Sequence, residues 1–250
     1  MSTPRPSAVR IDQLLVTRGL APSRERAKAL VLAGVVLVDD TPIEKPGTTV
    51  REDAAVRLKG APGDDWASRG ALKLQPALDA FRVDPGGKAC LDVGASTGGF
   101  TDVLLRRGAR RVYAVDVGYG QLDWRLRSDP RVVVLDRQNA RQLTAAEVPE
   151  PIELCVVDVS FISLTLVLPA LRPLLAGGAD LLAMVKPQFE VGKGRVGKGG
   201  VVRDEALRRE ALDAVARAAE ALGLQVLGER ENDVHGPKGN IESFLHLRAP

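Results

Sequence analysis

Four charged residues stand where apolar runs meet polar chain: Lys73 in "GALKLQPALDAF", Asp158 ending "CVVDVSF", Lys186 ending "AMVKP", and Glu242 opening "ESFLHLR". In an open parallel sheet the carboxyl ends of the strands line one crevice, so Asp158 and Lys186 from neighbouring strands converge there. Glu242 joins them only if its strand runs antiparallel and enters the sheet from that edge. Two cations and two carboxylates are nearly neutral as a group, which makes partial burial tolerable. Taken alone, Lys186 is a surface lysine closing a strand, with Pro187 stopping any helix behind it. Taken together, the four set two amines beside two carboxylates: burial favours the neutral form of an amine, and the carboxylates oppose it.

A second constellation is "LDVGASTGGF", residues 91–100. A strand ends in Asp92, a glycine turn follows, and a helix opens at about Gly99. Backbone amides and the positive end of that helix then face whatever lies above the sheet. Asp92, Gly94, Ser96, Thr97, Gly98, Gly99 and Phe100 are the candidate contacts. Asp116, at the end of the next strand, is placed to meet a ribose diol. The spacing is not GxGxxG. It indicates a nucleotide-like ligand and leaves NAD and S-adenosylmethionine both open.

These residues need a scaffold, and residues 70–250 alternate helix and strand patterns as a parallel sheet covered on both faces requires. A helix over 71–81 precedes strand "KACLDVG" and helix "GGFTDVLLRRG". The strands "RVYAVDVG", "RVVVLD", "ELCVVDVSF", "DLLAMVKP", "LQVLGERE" and "ESFLHLR" follow. The segments "SLTLVLPALRPLL" and "DEALRREALDAVARAAEAL" read as intervening helices. Seven strands in this order predict a doubly wound α/β sheet with an antiparallel pair at its end.

The chain has 250 residues, 45% apolar and 27% charged, with net charge +3. Residues 1–30 carry six basic groups (Arg5, Arg10, Arg18, Arg24, Arg26, Lys28) against Asp12 and Glu25. Basicity is therefore concentrated at one end. There, "RIDQLLVTRG" reads as a short amphipathic helix ended by Gly19, and "APSRERAKALVLAG" as a second, capped by Ser23 and closed by Gly34. "VVLVDDTPIEKPGTTV" and "AAVRL" read as short strands. Composition breaks at "KGAPGDDW", so the expected organisation is a unit over 1–60, a linker over 61–69 and a unit over 70–250. The first unit resembles an S4 domain, a small α+β RNA-binding fold, through Arg-hydrophobic-Asp-x-Leu-Leu, Ser-Arg-x-x-Ala and Gly-x-Val-x-Val-Asp. Its cations suit phosphate contacts with little sequence readout.

With that S4-like unit, the strings "SRGALKL", "DVGASTGGFTDVLL", "DVSFISL", "VKPQFEVGKG" and "GNIESFL" resemble the TlyA family, many of whose members are named hemolysins. The Lys-Asp-Lys-Glu set resembles the tetrad of FtsJ-type ribose 2′-O-methyltransferases. The resemblance covers nearly the whole chain. It implies a Rossmann-like class I methyltransferase sheet, S-adenosyl-L-methionine as cofactor, and ribosomal RNA or ribosomal subunits as partner. The reaction it implies is methyl transfer to a ribose 2′-hydroxyl in the cytoplasm, with Lys73, Asp158, Lys186 and Glu242 as catalytic residues. It also implies an adenine contact at Asp136 or Asn139 in "LDRQNAR", and RNA contacts at Arg69, Lys193 and Arg195 beside the six N-terminal cations. Phe161 reads either as a ring for stacking or as core, and residues 188–204 either as a lid over RNA or as a solvated loop.

Other function classes find less support. A membrane-lytic protein needs a spanning or amphipathic apolar segment, yet the most apolar stretch, Phe161 to Val185, is broken by Pro169, Arg172, Pro173 and Asp180. The N-terminus lacks the apolar core of a signal peptide. Cys90 and Cys155 sit apart in strand-like runs without a CxxC partner, and His235 and His246 lack metal spacing, so neither disulfide nor metal is expected. A non-catalytic RNA-binding or assembly factor is the alternative.

Overall fold

The computed structural model describes residues 8–32, 34–58, 66–236 and 239–250, with the side chain of Lys193 outside that description. It divides the chain into two units, Met1–Trp66 and Ala67–Pro250.

In the first unit, β1 (Ala8–Arg10) leads into α1 (Ile11–Thr17) and α2 (Arg24–Leu32), followed by β2 (Val36–Val38), β3 (Thr41–Pro42), β4 (Thr49–Arg51) and β5 (Val56–Leu58). Sheets form in the order β3-β2-β5 and as the pair β1-β4, all antiparallel. Ile11 and Leu15 from α1, Ala27 and Val31 from α2, and Val36 and Val38 from β2 build one core. Ser23 Oγ accepts the Arg26 amide at 3.2 Å, as a cap of α2 should. Strand β1 is an addition to the sequence reading; three residues with neither face buried offer no alternation to detect.

The second unit is built on a seven-stranded sheet of β6 (Ala89–Val93), β7 (Arg111–Val115), β8 (Val132–Leu135), β9 (Ile152–Val157), β10 (Leu175–Val185), β11 (Gln225–Glu231) and β12 (Ser243–Arg248). Its order is β11-β12-β10-β9-β6-β7-β8. The strands from β8 through β10 are parallel, and β12 runs antiparallel to both β10 and β11. Strand order reverses between β6 and β9, the point where open α/β sheets leave a ligand crevice. The strands β6 and β9, and β10 from Ala179 onward, are almost wholly buried, because helices cover both faces. These helices are α3 (Ala71–Phe81), α4 (Gly99–Arg106), α5 (Trp124–Arg127), α6 (Leu168–Leu171), α7 (Pro187–Glu190) and α8 (Glu205–Ala221).

Four local expectations need correcting. Pro187 does not stop a helix; it starts one. Lys186 is extended, as a residue before proline prefers, and Pro187 takes the first helical position of α7, where a missing N–H loses nothing. The stretch 163–175 is not one helix. Pro169 and Pro173 divide it into a 3₁₀ turn (Leu164–Leu166), the single turn of α6, and a second 3₁₀ turn (Arg172–Leu174). Strand β10 begins five residues before Asp180, with a register shift between Leu175 and Asp180 against β9, and Glu242 immediately precedes β12 rather than opening it.

Candidate active site

The glycine turn after β6 is shaped by its neighbours. Gly94 adopts φ +88°, and a Cβ there would run into the backbone carbonyl of Asp158, so the β6 turn and the end of β9 press directly together. The Asp158 amide donates to Val93 O at 2.8 Å. Gly99 starts α4 against Ser68 and the first residues of α3, where a side chain would collide with Ser68 Oγ and the Ala71 amide. The "SRGA" and "TGGF" strings are thus two halves of one helix-terminus contact.

Around this turn, Asp92 is fully buried. Thr101 Oγ1 donates to its Oδ2 at 2.6 Å, while Oδ1 meets no partner among the described residues. Burial pushes its carboxyl up to about 7, with the Asp158 and Asp116 charges adding to the rise and the Thr101 hydrogen bond opposing it. Asp116, just past β7, accepts the Ser96 amide at 2.8 Å and the Gly118 amide at 2.7 Å, which fixes the carboxylate and leaves it acceptor capacity. Asp136, just past β8, accepts the Gly120 amide at 3.3 Å and pairs with Arg127 at 2.8 Å. Asn139 caps a 3₁₀ turn through the Arg141 amide. Thr97 contributes its carbonyl to the Asp123 amide. Gly98 is left-handed at the start of α4, and Phe100 lies in the core against Phe244, centroids 5.9 Å apart.

The four charged residues come together as two ion pairs on the same edge. Lys73 Nζ from α3 donates to Glu242 Oε2 at 2.6 Å. Lys186 Nζ pairs with Asp158 and donates to Ser160 Oγ at 2.9 Å. Val185 of β10 lies opposite Ser243 of β12, which sets Lys186 and Glu242 at adjacent positions just beyond the paired residues. Ala183 lies opposite Val157 of β9, so Asp158 follows on the other side. Glu242 is 1% exposed and Lys186 8%. A buried carboxylate and ammonium are tolerated there because each has an opposite charge in contact. Sequence reasoning missed Ser160 and Thr101, whose roles are hydrogen bonds to charged residues; both lie in the motif strings, yet a hydroxyl's partner has no spacing rule.

Phe161, the next residue after Ser160, is not core: it is 91% exposed, at φ +65°, with its ring centroid 5.1 Å from that of Phe189. The segment 188–204 is neither a free loop nor an open lid at its far end. Val202 N and Gly200 O are both held by the side chain of Asn240, and Val191 and Val202 join a small core with Ala211. Arg195 in that segment pairs with Glu210 at 2.6 Å, and Arg69 also has a partner.

The N-terminal cations divide by partner. Arg10 and Arg24 both reach the buried carboxylate of Asp12, at 3.0 and 3.4 Å. Arg18 donates to the carbonyls of Ala54, at 2.6 Å, and Glu52, so it braces α1 against the β4–β5 turn. Arg26 and Lys28 are exposed on α2. Arg5 lies outside the described residues.

No described helix is long and apolar enough to cross a membrane, and no described group of His, Cys, Asp and Glu is placed to hold a metal ion.

A glycine turn at the switch point, acidic residues ending successive strands, and a seven-stranded sheet with one antiparallel strand define a Rossmann-like class I methyltransferase. The FtsJ-like methyltransferase family profile matches residues 66–249, and the S4 domain profile matches residues 9–56. Over 240 residues the chain is 53% identical to the 16S/23S rRNA (cytidine-2′-O)-methyltransferase TlyA of Mycobacterium tuberculosis, covering 96% of this chain and 90% of that protein. It is 35% identical over 240 residues to Hemolysin A of Brachyspira hyodysenteriae, covering 96% and 99%. A solved hemolysin-named structure from Streptococcus thermophilus superposes with a TM-score of 0.76 at 40% identity, covering 98% of this chain and 90% of that one. The chain belongs to the TlyA family of S4-containing, FtsJ-like methyltransferases.

Proposed function

We propose that this protein is an enzyme that methylates a ribose 2′-hydroxyl of ribosomal RNA in the cytoplasm, using S-adenosyl-L-methionine. The observation that carries the reading is the pairing of Lys73 with Glu242 and of Lys186 with Asp158 on the sheet edge that also holds the glycine turn. Residues 1–60 serve as the S4-like RNA-binding domain, 61–69 as the linker, and 70–250 as the methyltransferase domain.

The crevice suits the cofactor. In the turn from Gly94 to Gly99 the exposed residues are Ser96 and Thr97, Asp116 is fixed with spare acceptor capacity for a ribose diol, and the buried Oδ1 of Asp92 awaits a donor. Asp136 and Asn139 lie at the adenine end. When bound, this cofactor supplies a methyl group on a sulfonium, open to in-line attack.

The protein's part is positioning and proton removal. Lys186 in its neutral form takes the hydroxyl proton at Nζ while the ribose oxygen gains the methyl. Asp158 and Ser160 hold Nζ in place, and Asp158 stands closest to the glycine turn. Lys73, steered by Glu242, orients the attacked hydroxyl. The exposed Phe161 ring offers a stacking surface, and the N-terminal cations with Arg69, Lys193 and Arg195 meet the RNA backbone.

Incubation with methyl-labelled cofactor and ribosomal subunits tests the proposal. Wild type should place label on RNA ribose. Lys186→Ala should lower the rate at least a thousandfold while cofactor affinity, read by calorimetry, changes little; label surviving in that variant removes Lys186 as base. Label on neither RNA nor ribosomal protein would leave an RNA-binding assembly factor.

A further inference from the structure

The Asp158–Lys186 pair is built from two segments that share no strand. Asp158 and Ser160 lie on the loop leaving β9, whereas Lys186 caps α7 after β10. Beyond Ser160 that loop carries Phe161 at φ +65°, a backbone region that a bulky side chain occupies only when its surroundings force it. Something must hold the loop in this shape and at this distance from α7.

The holding group is at the far end of the same short helix. Glu190 closes α7 and turns its carboxylate into the loop: Oε2 accepts Ser163 Oγ at 2.6 Å, and Oε1 accepts the Leu164 amide at 2.9 Å. Ser163 spends its one proton on Glu190, so the Thr165 hydroxyl, 2.7 Å away, donates to Ser163 Oγ, which also accepts the Thr165 amide at 3.2 Å. The next residue, Leu164, is buried in the main core, so the latched end of the loop is anchored to the sheet. On the open side, the Phe161 and Phe189 rings meet across the same gap. Glu190 is partly withdrawn from water, and burial raises its carboxyl above the ordinary range despite the two donors. A glutamate accepts that penalty only where its hydrogen bonds offset it.

We infer that Glu190, acting through Ser163 and Leu164, is a positioning residue of the methyl-transfer reaction: it latches the β9 loop to α7 and so sets the Asp158–Ser160–Lys186 geometry. This inference rests on the proposed role of Lys186. It assigns Glu190 no contact with substrate. Because charge-assisted hydrogen bonds place a catalytic amine to within a fraction of an ångström, loosening the latch lowers the chemical step rather than RNA binding.

The test compares Glu190→Ala, Glu190→Gln, Ser163→Ala and the double variant, in the full chain, with Lys186→Ala as control. Labelled-cofactor assays on ribosomal subunits give kcat and KM, and thermal melts give Tm. Glu190→Ala should lower kcat tenfold or more at nearly unchanged KM, assayed well below its Tm. Glu190→Gln, which keeps one acceptor, should recover part of that loss. Ser163→Ala should add little once Glu190 is gone, since both break one latch. Wild-type kcat in Glu190→Ala overturns the latch, as does full additivity in the double variant or a loss confined to KM. Activity surviving in Lys186→Ala overturns the base assignment instead, whatever Glu190 does, so the two failures are separable.

Discussion

Asp92 combines two conditions that rarely coexist: complete burial, and one carboxylate oxygen without a partner among the described residues. Its carboxyl is pushed up to about 7 mainly by burial, against about 3.9 in an unfolded chain. Between those two values the folded state holds a proton that the unfolded state has lost. The contribution to stability is therefore fully present below about pH 4 and is lost as pH rises towards 7. Asp180 works in the opposite sense: hydrogen bonds from His246 and Arg248 hold its carboxyl low despite burial, so it stabilises above the ordinary carboxylate range. The difference between Asp92→Asn and wild type isolates the first effect. Urea midpoints should show the variant gaining on wild type from pH 4 to 7, with an upper bound on the order of 4 kcal/mol. A pH-independent difference would show that Asp92 titrates normally. At this scale the meeting of the four charged residues was legible: Asp158, Lys186 and Glu242 stand beside strand ends, and Lys73, inside α3, was picked out by the resemblance of its string. Ser160, Thr101 and Glu190 were not, since a side-chain hydrogen bond across 26 residues, as between Lys186 and Ser160, leaves no periodicity.

The turn between β6 and α4 shows how an element sets chemistry. Gly94→Ala would place a methyl group against the Asp158 carbonyl at a φ that L side chains rarely adopt. The expected loss of stability is roughly 2 kcal/mol or more. The displaced Asp158 also drags on Lys186, so kcat should fall by more than the fraction unfolded accounts for. Melting curves and single-turnover rates on the same sample check this; a rate that tracks only the folded fraction would mean that the turn is structural packing. The elements flanking this turn were readable because their signals agree. The helix over 71–81 has period-3.6 burial at Ala71, Leu74, Ala77 and Leu78, and β6 and β9 are short apolar runs with an aspartate one residue before the end of β6 and directly after β9. The missed or misread pieces, α5, α7 and the broken stretch around α6, are single turns in which proline position or tertiary packing outweighs local pattern.

Across the whole molecule, a net charge of +3 conceals a strongly basic first 30 residues. A count of cations overstates what that region offers to phosphate. Arg18 is committed to backbone carbonyls, and Arg10 and Arg24 share the buried Asp12 carboxylate, so these three partly serve the fold. Removing Arg18 should destabilise the first unit itself. Arg26 and Lys28, exposed on α2 without an acidic partner among the described residues, are the cations whose loss should register in RNA binding alone. Each phosphate contact releases condensed counterions, so affinity falls with salt in proportion to the number of contacts. Replacing both by alanine should reduce the slope of log affinity against log salt by roughly 1 to 2, leaving Tm and cofactor affinity unchanged. Filter binding of ribosomal RNA between 50 and 200 mM salt, chosen on the scale of those counterion effects, reads the slope directly. An unchanged slope would move the RNA surface off this face of α2 and onto the guanidiniums held by Asp12, whose double replacement would then carry the salt dependence instead.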